Sequence, residues 1–217
     1  MTSSSARLVV LSDLTPYEEA HTLQLETVEK RGAGKIPDTL ILLEHTPVIT
    51  LGRNADPSGV VASKDVLEER GISVHRIERG GQATYHGPGQ VVGYPIVDLH
   101  GLGIGIKQYV SNLEEMMIRA AASFGVQAYR GDGMIGIFCD HGKLGAIGVR
   151  VSQGITFHGF AFNVAPDLTH YQLIVPCGMT DTPITSIAAI SGKTPTMDKA
   201  RQVLIEAFAE VFGLKVV

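Results

Sequence analysis

The chain has 217 residues, of which 44% are apolar and 18% are charged, and its formal net charge at pH 7 is -4. This length and apolar content suit a substantial core, so residues 1–217 are expected to form a single domain. Acidic and basic residues are interspersed, which argues against binding to nucleic acid phosphates, and no apolar run reaches membrane-spanning length. Residues 1–6 resemble a loose terminus rather than a signal peptide, and two cysteines do not make a disulfide framework, so a cytoplasmic location is expected.

Periodicity and turn residues predict helices at residues 17–30, 63–70, 106–124 and 197–212. Strands are predicted at residues 39–44, 48–51, 73–77, 91–99, 126–129, 134–139, 144–151 and 155–163. Residues 140–142 predict a hairpin turn, which places Lys143 at the start of a strand. Helices and strands interleave without a regular β-α-β order. The sequence therefore predicts an α+β domain with a mixed, largely antiparallel sheet and flanking helices.

Residues 79–90 form a glycine-rich segment with an unusual mixture of polar side chains. Its glycines let the backbone approach a ligand, and its Arg, Gln, Thr, Tyr and His side chains offer hydrogen bonds. A plain solvated turn is the alternative, but such a turn rarely brings together so many different hydrogen-bonding groups. We therefore predict a loop that cradles a ligand.

Cys177 lies between Pro176 and Gly178, a context that predicts a turn and a thiol that faces solvent or a cleft. A thiolate forms near neutral pH only beside a positive charge, a metal ion or a helix N-terminus, and Lys143 is the candidate for that charge. A cysteine activated by a lysine is a nucleophile suited to acyl transfer. Lys143 has two conceivable roles, as an ammonium that stabilises the thiolate or as a neutral amine that accepts a proton.

Other motifs are weaker. Cys139 ends a predicted strand on its apolar face and is expected to be structural. Residues 131–136 spell a dinucleotide-binding glycine pattern, but no helix is predicted to follow them. The spacing of the histidines does not favour a zinc site made by His86, His141, His158 and a cysteine. His158 is equally a satisfied strand histidine or a residue of the site.

Four motifs follow one another in the chain: RGGQATYHGPGQ at residues 79–90, KLGAIGVR at 143–150, HGFAFN at 158–163 and VPCG at 175–178. In this order they resemble the octanoyl-(acyl carrier protein):protein N-octanoyltransferases, the lipoyl/octanoyl transferase family of lipoate biosynthesis. The resemblance covers roughly residues 40–190 and implies a fold similar to the biotin and lipoate protein ligase catalytic domains. Many members of that family have a Val-Trp pair shortly before the lysine, where this chain reads MIGIF.

The resemblance also implies the residues of the site. Cys177 would carry the acyl group as a thioester and Lys143 would be its partner, with His158 and Gly178 as supporting residues. Substrate contacts would be made by Arg79, Gly80, Gly81, Gln82, Ala83, Thr84, Tyr85, His86, Ala146, Ile147, Gly148, Gly159, Phe160 and Ala161. An apolar slot for the acyl chain is expected at Ile147, Val149 and Phe160, and an oxyanion hole at backbone N–H groups near Cys177 or in the glycine-rich loop.

The implied reaction transfers an octanoyl (or lipoyl) group from acyl carrier protein, through Cys177, to a lysine ε-amine of a lipoyl domain. The implied acceptors are the lipoyl domains of 2-oxoacid dehydrogenase E2 subunits and the glycine cleavage H protein. No cofactor and no metal are expected to be required, because exchange between thioesters is nearly isoenergetic and amide formation runs downhill. A monomer is expected because the sequence predicts no long exposed apolar helix face. The alternatives are an ATP-dependent lipoate or biotin ligase on the same fold, a cysteine hydrolase, and a non-catalytic binder of acyl carrier protein.

Overall fold

The computed structural model describes residues 5–175 and 182–217. The strands in these ranges are β1 (Ser5–Thr15), β2 (Asp38–His45), β3 (Val48–Leu51), β4 (Ser73–Arg76), β5 (Ala83–His86), β6 (Gln90–Ile96), β7 (Tyr129–Arg130), β8 (Ile137–Cys139), β9 (Gly142–Ser152), β10 (Ile155–Asn163) and β11 (Lys215–Val216). The α-helices in the same ranges are α1 (Tyr17–Gly32), α2 (Lys64–Glu69), α3 (Ile106–Ala122), α4 (Ile187–Ser191) and α5 (Met197–Phe212). None of these helices combines enough length and apolar sequence to cross a membrane.

Two sheets organise the described part of the chain. The larger sheet has eight strands in the order β11-β1-β2-β6-β10-β9-β8-β7, and the smaller has three in the order β4-β3-β5. In the larger sheet, β1 pairs in parallel with β2 and β11, and every other pair of neighbours is antiparallel. The smaller sheet has one parallel and one antiparallel pair. The predicted α+β class with a mixed, largely antiparallel sheet is therefore confirmed.

Helices cover both faces of the large sheet because its central strands are apolar on both sides. In β2, Leu40 and Leu42 pack in the main core with residues of α3 and α5. The alternating residues Ile41 and Leu43 pack in a separate cluster with Ala20 of α1. Successive side chains of a strand point to opposite faces, so an unbroken apolar run is what a strand between two layers requires.

Most of the predicted elements are confirmed, several of them to the residue. β3 and α5 have the predicted bounds, and β10 has those of the last predicted strand. Thr196 caps α5 by accepting a hydrogen bond from the Lys199 N–H, and the helix stops at Gly213, whose φ of 64° is left-handed. Ser63 caps α2 by accepting a hydrogen bond from the Val66 N–H, as expected.

Four local predictions are wrong. In each case the outcome depends on whether a partner strand pairs with the segment, and the local sequence does not contain that information. Residues 126–129 form no strand before Tyr129, and the strand predicted from residue 134 begins only at Ile137. Residues 83–86 lie in a strand rather than a loop, because β3 pairs with them. Ser5 and Ala6 begin a strand rather than a loose terminus, and Ala6 is fully buried. The local sequence does not show whether a segment has a partner strand, and that pairing decides whether the segment forms a strand.

Candidate active site

A cavity of about 410 Å³ is lined by residues of the small sheet and of β6, β9 and β10. Its volume lies in the range of small-molecule sites, about 300–1,000 Å³. The cavity brings together predicted residues from three separate segments: Arg79, Gly80, Gly81, Gln82, Thr84, His86, Lys143, Ala146, Ile147, Gly148, His158, Gly159, Phe160 and Ala161. Val149, which is expected with Ile147 and Phe160 to form an apolar slot, lines the cavity as well.

Ala83 and Tyr85 lie elsewhere. Both are buried in the core cluster that contains Ile49 and Leu51, and neither is among the described residues that line the cavity. The reason is the strand formed by residues 83–86, in which alternate side chains point to opposite faces. The structure therefore gives Ala83 and Tyr85 a packing position behind the cavity wall. The predicted site residues Cys177 and Gly178 lie outside the described residues.

The Arg79 guanidinium fixes the shape of the glycine-rich segment. Its Nη2 donates to the Thr50 carbonyl at 2.7 Å and to the Thr50 hydroxyl at 2.9 Å, while Nη1 donates to the Gly80 carbonyl at 2.9 Å. The Gly80 N–H donates to the Val149 carbonyl at 3.1 Å, which attaches the segment to β9. Gly148 is required beside it, since a Cβ there would lie 2.8 Å from Arg79 Cδ.

Lys143 stands at the start of β9, as predicted, and is only 5% exposed. Its ammonium Nζ donates to the Ile135 carbonyl at 3.3 Å and lies 5.4 Å from the centre of the Phe138 ring. Phe138 thus supplies an aromatic face to the lysine. It belongs to the MIGIF segment, which stands where many family members have a Val-Trp pair. The backbone N–H of Lys143 donates to the Pro183 carbonyl at 2.8 Å, which holds the lysine against the chain just after the undescribed residues.

His86 is held in one tautomer by a buried network. Its Nδ1–H donates to Gln90 Oε1 at 2.7 Å, and Gln90 Nε2 donates to Asn163 Oδ1 at 2.8 Å. The Asn163 amide donates onward to the Thr185 carbonyl at 3.0 Å. Burial lowers the pKa of His86 to about 3. His86 is therefore neutral at pH 7, with Nε2 as its acceptor nitrogen.

His158 occupies a strained position on the cavity wall. Its φ of 54° is left-handed, a conformation that costs a non-glycine residue about 1–3 kcal/mol. The Gln24 side-chain carbonyl accepts a hydrogen bond from the His158 N–H at 2.9 Å. The His158 side chain is 2% exposed, and no described residue is a hydrogen-bond partner of its Nε2. Burial lowers the pKa of His158 to about 3.

Sequence reasoning missed the part of the site that α1 and β6 supply. Tyr17 and Tyr94 line the cavity, and the Tyr94 hydroxyl donates to His45 Nε2 at 2.6 Å. Gln24 is fully buried on the side of α1 that contacts β10. The sequence offered only an indirect signal. The apolar face of α1, which includes Leu23 and Val28, is too weak for a contact made by apolar side chains alone.

The arrangement can bind an apolar molecule with one polar end. Aliphatic and aromatic side chains form much of the wall, Lys143 supplies a buried donor, and His86 and His158 are neutral at pH 7. A few polar groups in an apolar pocket fix the orientation of a ligand while its apolar part contributes affinity.

The fold is similar to that of lipoate and biotin protein ligases. A bipartite lipoate protein ligase from Thermoplasma acidophilum, solved in a study with its E2 lipoyl domain, has a TM-score of 0.78 at 18% identity, with 99% of this chain and 86% of that chain covered. Biotin protein ligase from Aquifex aeolicus has a TM-score of 0.53 at 11% identity, with 95% and 68% covered. These likenesses confirm the predicted fold.

Sequence similarity gives the family. The chain belongs to the lipoyl protein ligase A/B catalytic domain family, whose profile matches residues 16–209. A relative from Alkaliphilus metalliredigens, named octanoyltransferase, is 44% identical over 202 residues, with 93% of each chain covered. The resemblance inferred from the four motifs is therefore confirmed.

Proposed function

We propose that this protein is an acyltransferase that moves an octanoyl (or lipoyl) group from acyl carrier protein to a lysine of lipoyl domains. Relatives named octanoyltransferase support this reaction at 44% identity over nearly the whole chain. The likeness to solved ligases does not favour ATP-dependent activation, because at 18% identity it speaks for the fold alone. The proposal includes a single catalytic domain over residues 1–217, a monomer, a cytoplasmic location and no metal requirement for the transfer.

One observation carries the proposal: a lysine is buried at the wall of a largely apolar cavity. A lysine side chain is rarely buried this completely in a protein. Here Lys143 is 5% exposed and lines the same cavity as the apolar residues Ile147 and Phe160. An acyl chain fits such a wall, and its carbonyl end would meet the lysine.

Cys177 is the proposed nucleophile. The chain on both sides of residues 176–181 is anchored: the Val175 N–H donates to the Gly59 carbonyl at 2.8 Å, and Ile184 forms a parallel β-bridge with Lys143 of the cavity wall. The Thr185 N–H also donates to the Lys143 carbonyl at 2.9 Å. These anchors support a Cys177 and Lys143 dyad, which the order of the motifs also favours.

The reaction has two halves. The Cys177 thiolate attacks the carbonyl carbon of the donor thioester, a new C–S bond forms, and the carrier thiolate leaves and takes up a proton. The lysine ε-amine of the acceptor then attacks the same carbon, a C–N bond forms, the C–S bond to Cys177 breaks, and the nitrogen loses a proton. Two transfers through one sulfur give ping-pong kinetics.

The surroundings of Lys143 support the ammonium role in the resting enzyme. A backbone carbonyl and an aromatic face both stabilise a cation, and Ile135 and Phe138 supply one each. The ammonium then stabilises the Cys177 thiolate by charge and returns a proton to the departing carrier thiolate. The proposed acceptors remain the lipoyl domains of 2-oxoacid dehydrogenase E2 subunits and the glycine cleavage H protein.

The test is transfer without ATP. Purified enzyme, octanoyl-carrier protein and an apo-lipoyl domain should yield the octanoyl-lipoyl domain, whereas free octanoate with ATP should release no pyrophosphate. Lys143→Met should lose at least about 100-fold in kcat, the usual scale for general acid-base groups, while Lys199→Met, at an exposed lysine of α5, should be unchanged. Pyrophosphate release with free octanoate would support the ligase, and free octanoate formed from the donor without an acceptor would support a hydrolase.

A further inference from the structure

His21, Glu78 and His158 bring three potential metal ligands together beside the cavity. They come from α1, from the segment after β4 and from β10, and their nearest ligand atoms all lie within 4.8 Å of one another. We propose that these side chains form a binding site for a divalent transition metal ion, with zinc as the test ion. The inference does not rest on the proposed acyl transfer, and it adds a metal site to a protein whose sequence predicts no metal requirement.

The distances suit a small tetrahedral ion. Zinc binds histidine nitrogen and carboxylate oxygen at about 2.0–2.2 Å, so two ligand atoms of a tetrahedral site lie about 3.3 Å apart. His21 Nε2 and Glu78 Oε1 are already separated by 3.3 Å. A metal ion would replace the proton that these two atoms share. His21 and Glu78 are 24% and 30% exposed, so they retain room to move towards His158.

His158 supplies the independent evidence for a ligand. Its side chain is buried, yet no described residue pairs with its Nε2, and leaving a buried polar atom unpaired is unfavourable. The backbone at His158 is left-handed, and the Gln24 side-chain carbonyl accepts its N–H, so the backbone that carries the ring is held in place. The His21 ring stacks on the His158 ring with centroids 5.7 Å apart, so the His21 side chain must rotate to direct its Nε2 at the same ion as His158. A bound cation would satisfy the orphaned nitrogen.

Chemistry selects the class of ion. Two imidazole nitrogens and one carboxylate suit Zn²⁺ and its transition-metal neighbours, whereas Mg²⁺ and Ca²⁺ prefer oxygen ligands. Three protein ligands leave a fourth position for water or a ligand from the cavity, which His158 also lines. Positive charge from Arg79 and Arg150 reaches His158 and opposes a cation, so we expect reversible binding rather than a permanently held ion.

The test measures zinc binding in the Cys177→Ser protein, because a thiolate is itself a strong zinc ligand. Competition with a chromophoric chelator should give one equivalent of Zn²⁺, and Co²⁺ should give the visible absorption bands of a four- or five-coordinate site. His21→Ala and Glu78→Gln should each weaken binding at least about 100-fold, since even partners of metal ligands cost 10–100-fold. His141→Ala, at an exposed histidine of the β8–β9 turn, is the matched control and should bind as the parent does.

The melting temperature of each variant in the presence of a chelator distinguishes a variant that has lost the metal site from one that has lost its fold. Each variant should unfold near the parent's temperature in chelator, and only the parent and His141→Ala should be stabilised by added Zn²⁺. Zinc binding that is equal in the parent and in both ligand variants would overturn the proposal. So would the absence of binding in a folded Cys177→Ser protein, whatever the acyltransferase activity of the wild type.

Discussion

Gly148→Ala tests whether the glycine-rich segment is fixed against β9 by a clamped arginine. The new Cβ would lie 2.8 Å from Arg79 Cδ and 3.1 Å from the Gly80 carbonyl oxygen. Arg79 has little freedom to retreat, because its Nη2 is bonded to Thr50 at 2.7 Å. Overpacking of this kind costs about 1–3 kcal/mol. For a chain of this size, a loss of about 2 kcal/mol lowers the melting temperature by about 4–8 °C.

The assay combines urea unfolding with steady-state kinetics for the acyl donor. Gly148→Ala should lower the free energy of unfolding and raise KM, because Arg79 and Gly80 line the cavity. Gly32→Ala is the matched control: it lies in α1 with its nearest atom at 3.9 Å and should be neutral or slightly stabilising. In an Arg79→Ala background the extra cost of Gly148→Ala should largely disappear. If Gly148→Ala lowers the free energy of unfolding equally with and without Arg79, the proposed steric contact with a fixed Arg79 side chain is refuted.

Three further outcomes follow from burial. Burial lowers the pKa of His45 to about 4 and that of His86 to about 3. At a pH below 6.5, the usual pKa of histidine, both side chains therefore take up a proton when the protein unfolds. Their stabilisation is complete above pH 6.5 and falls by about 1.4 kcal/mol per pH unit for each histidine as pH decreases towards 4. Urea unfolding between pH 7 and 5 measures this slope, and a constant free energy of unfolding would contradict it. A hexanoyl donor has two fewer CH₂ groups to bury and should lose about 1.6 kcal/mol, or about 15-fold in kcat/KM. Equal kcat/KM values for hexanoyl and octanoyl donors would argue against an apolar chain site. Cys139→Ser, at a buried thiol 3.6 Å from the Gly142 carbonyl, should lower the free energy of unfolding by about 1 kcal/mol and leave kcat unchanged. A loss of kcat at unchanged stability would instead give Cys139 a role in the reaction.

Elements with strong local signals were predictable from the sequence. α5 has a capping threonine, an apolar stripe and a terminal glycine, and its bounds follow from them. The three motif segments that meet at the cavity were identifiable because small residues and polar side chains recur in them beyond what a loop needs. Their convergence follows from β9 and β10, which pair along most of their length.

The remainder depends on contacts between distant residues. Gln24 is buried because it bonds to the backbone of His158, and no property of α1 alone predicts that partner. Ala83 and Tyr85 face away from the cavity because β5 pairs with β3. The local composition did not predict this strand, because glycines flank it and favour a loop. The cluster of His21, Glu78 and His158 has no spacing motif, since its members come from three elements that only the folded chain brings together.

Intact-protein mass spectrometry after exposure to octanoyl-carrier protein tests the covalent relay most directly. The account predicts a single octanoyl adduct on the wild-type protein and on Cys139→Ser, with no adduct on Cys177→Ser. The adduct should disappear when an apo-lipoyl domain is added, and the acceptor should gain the same mass. An adduct that persists in Cys177→Ser, or acceptor modification by that variant at the wild-type rate, would contradict the account.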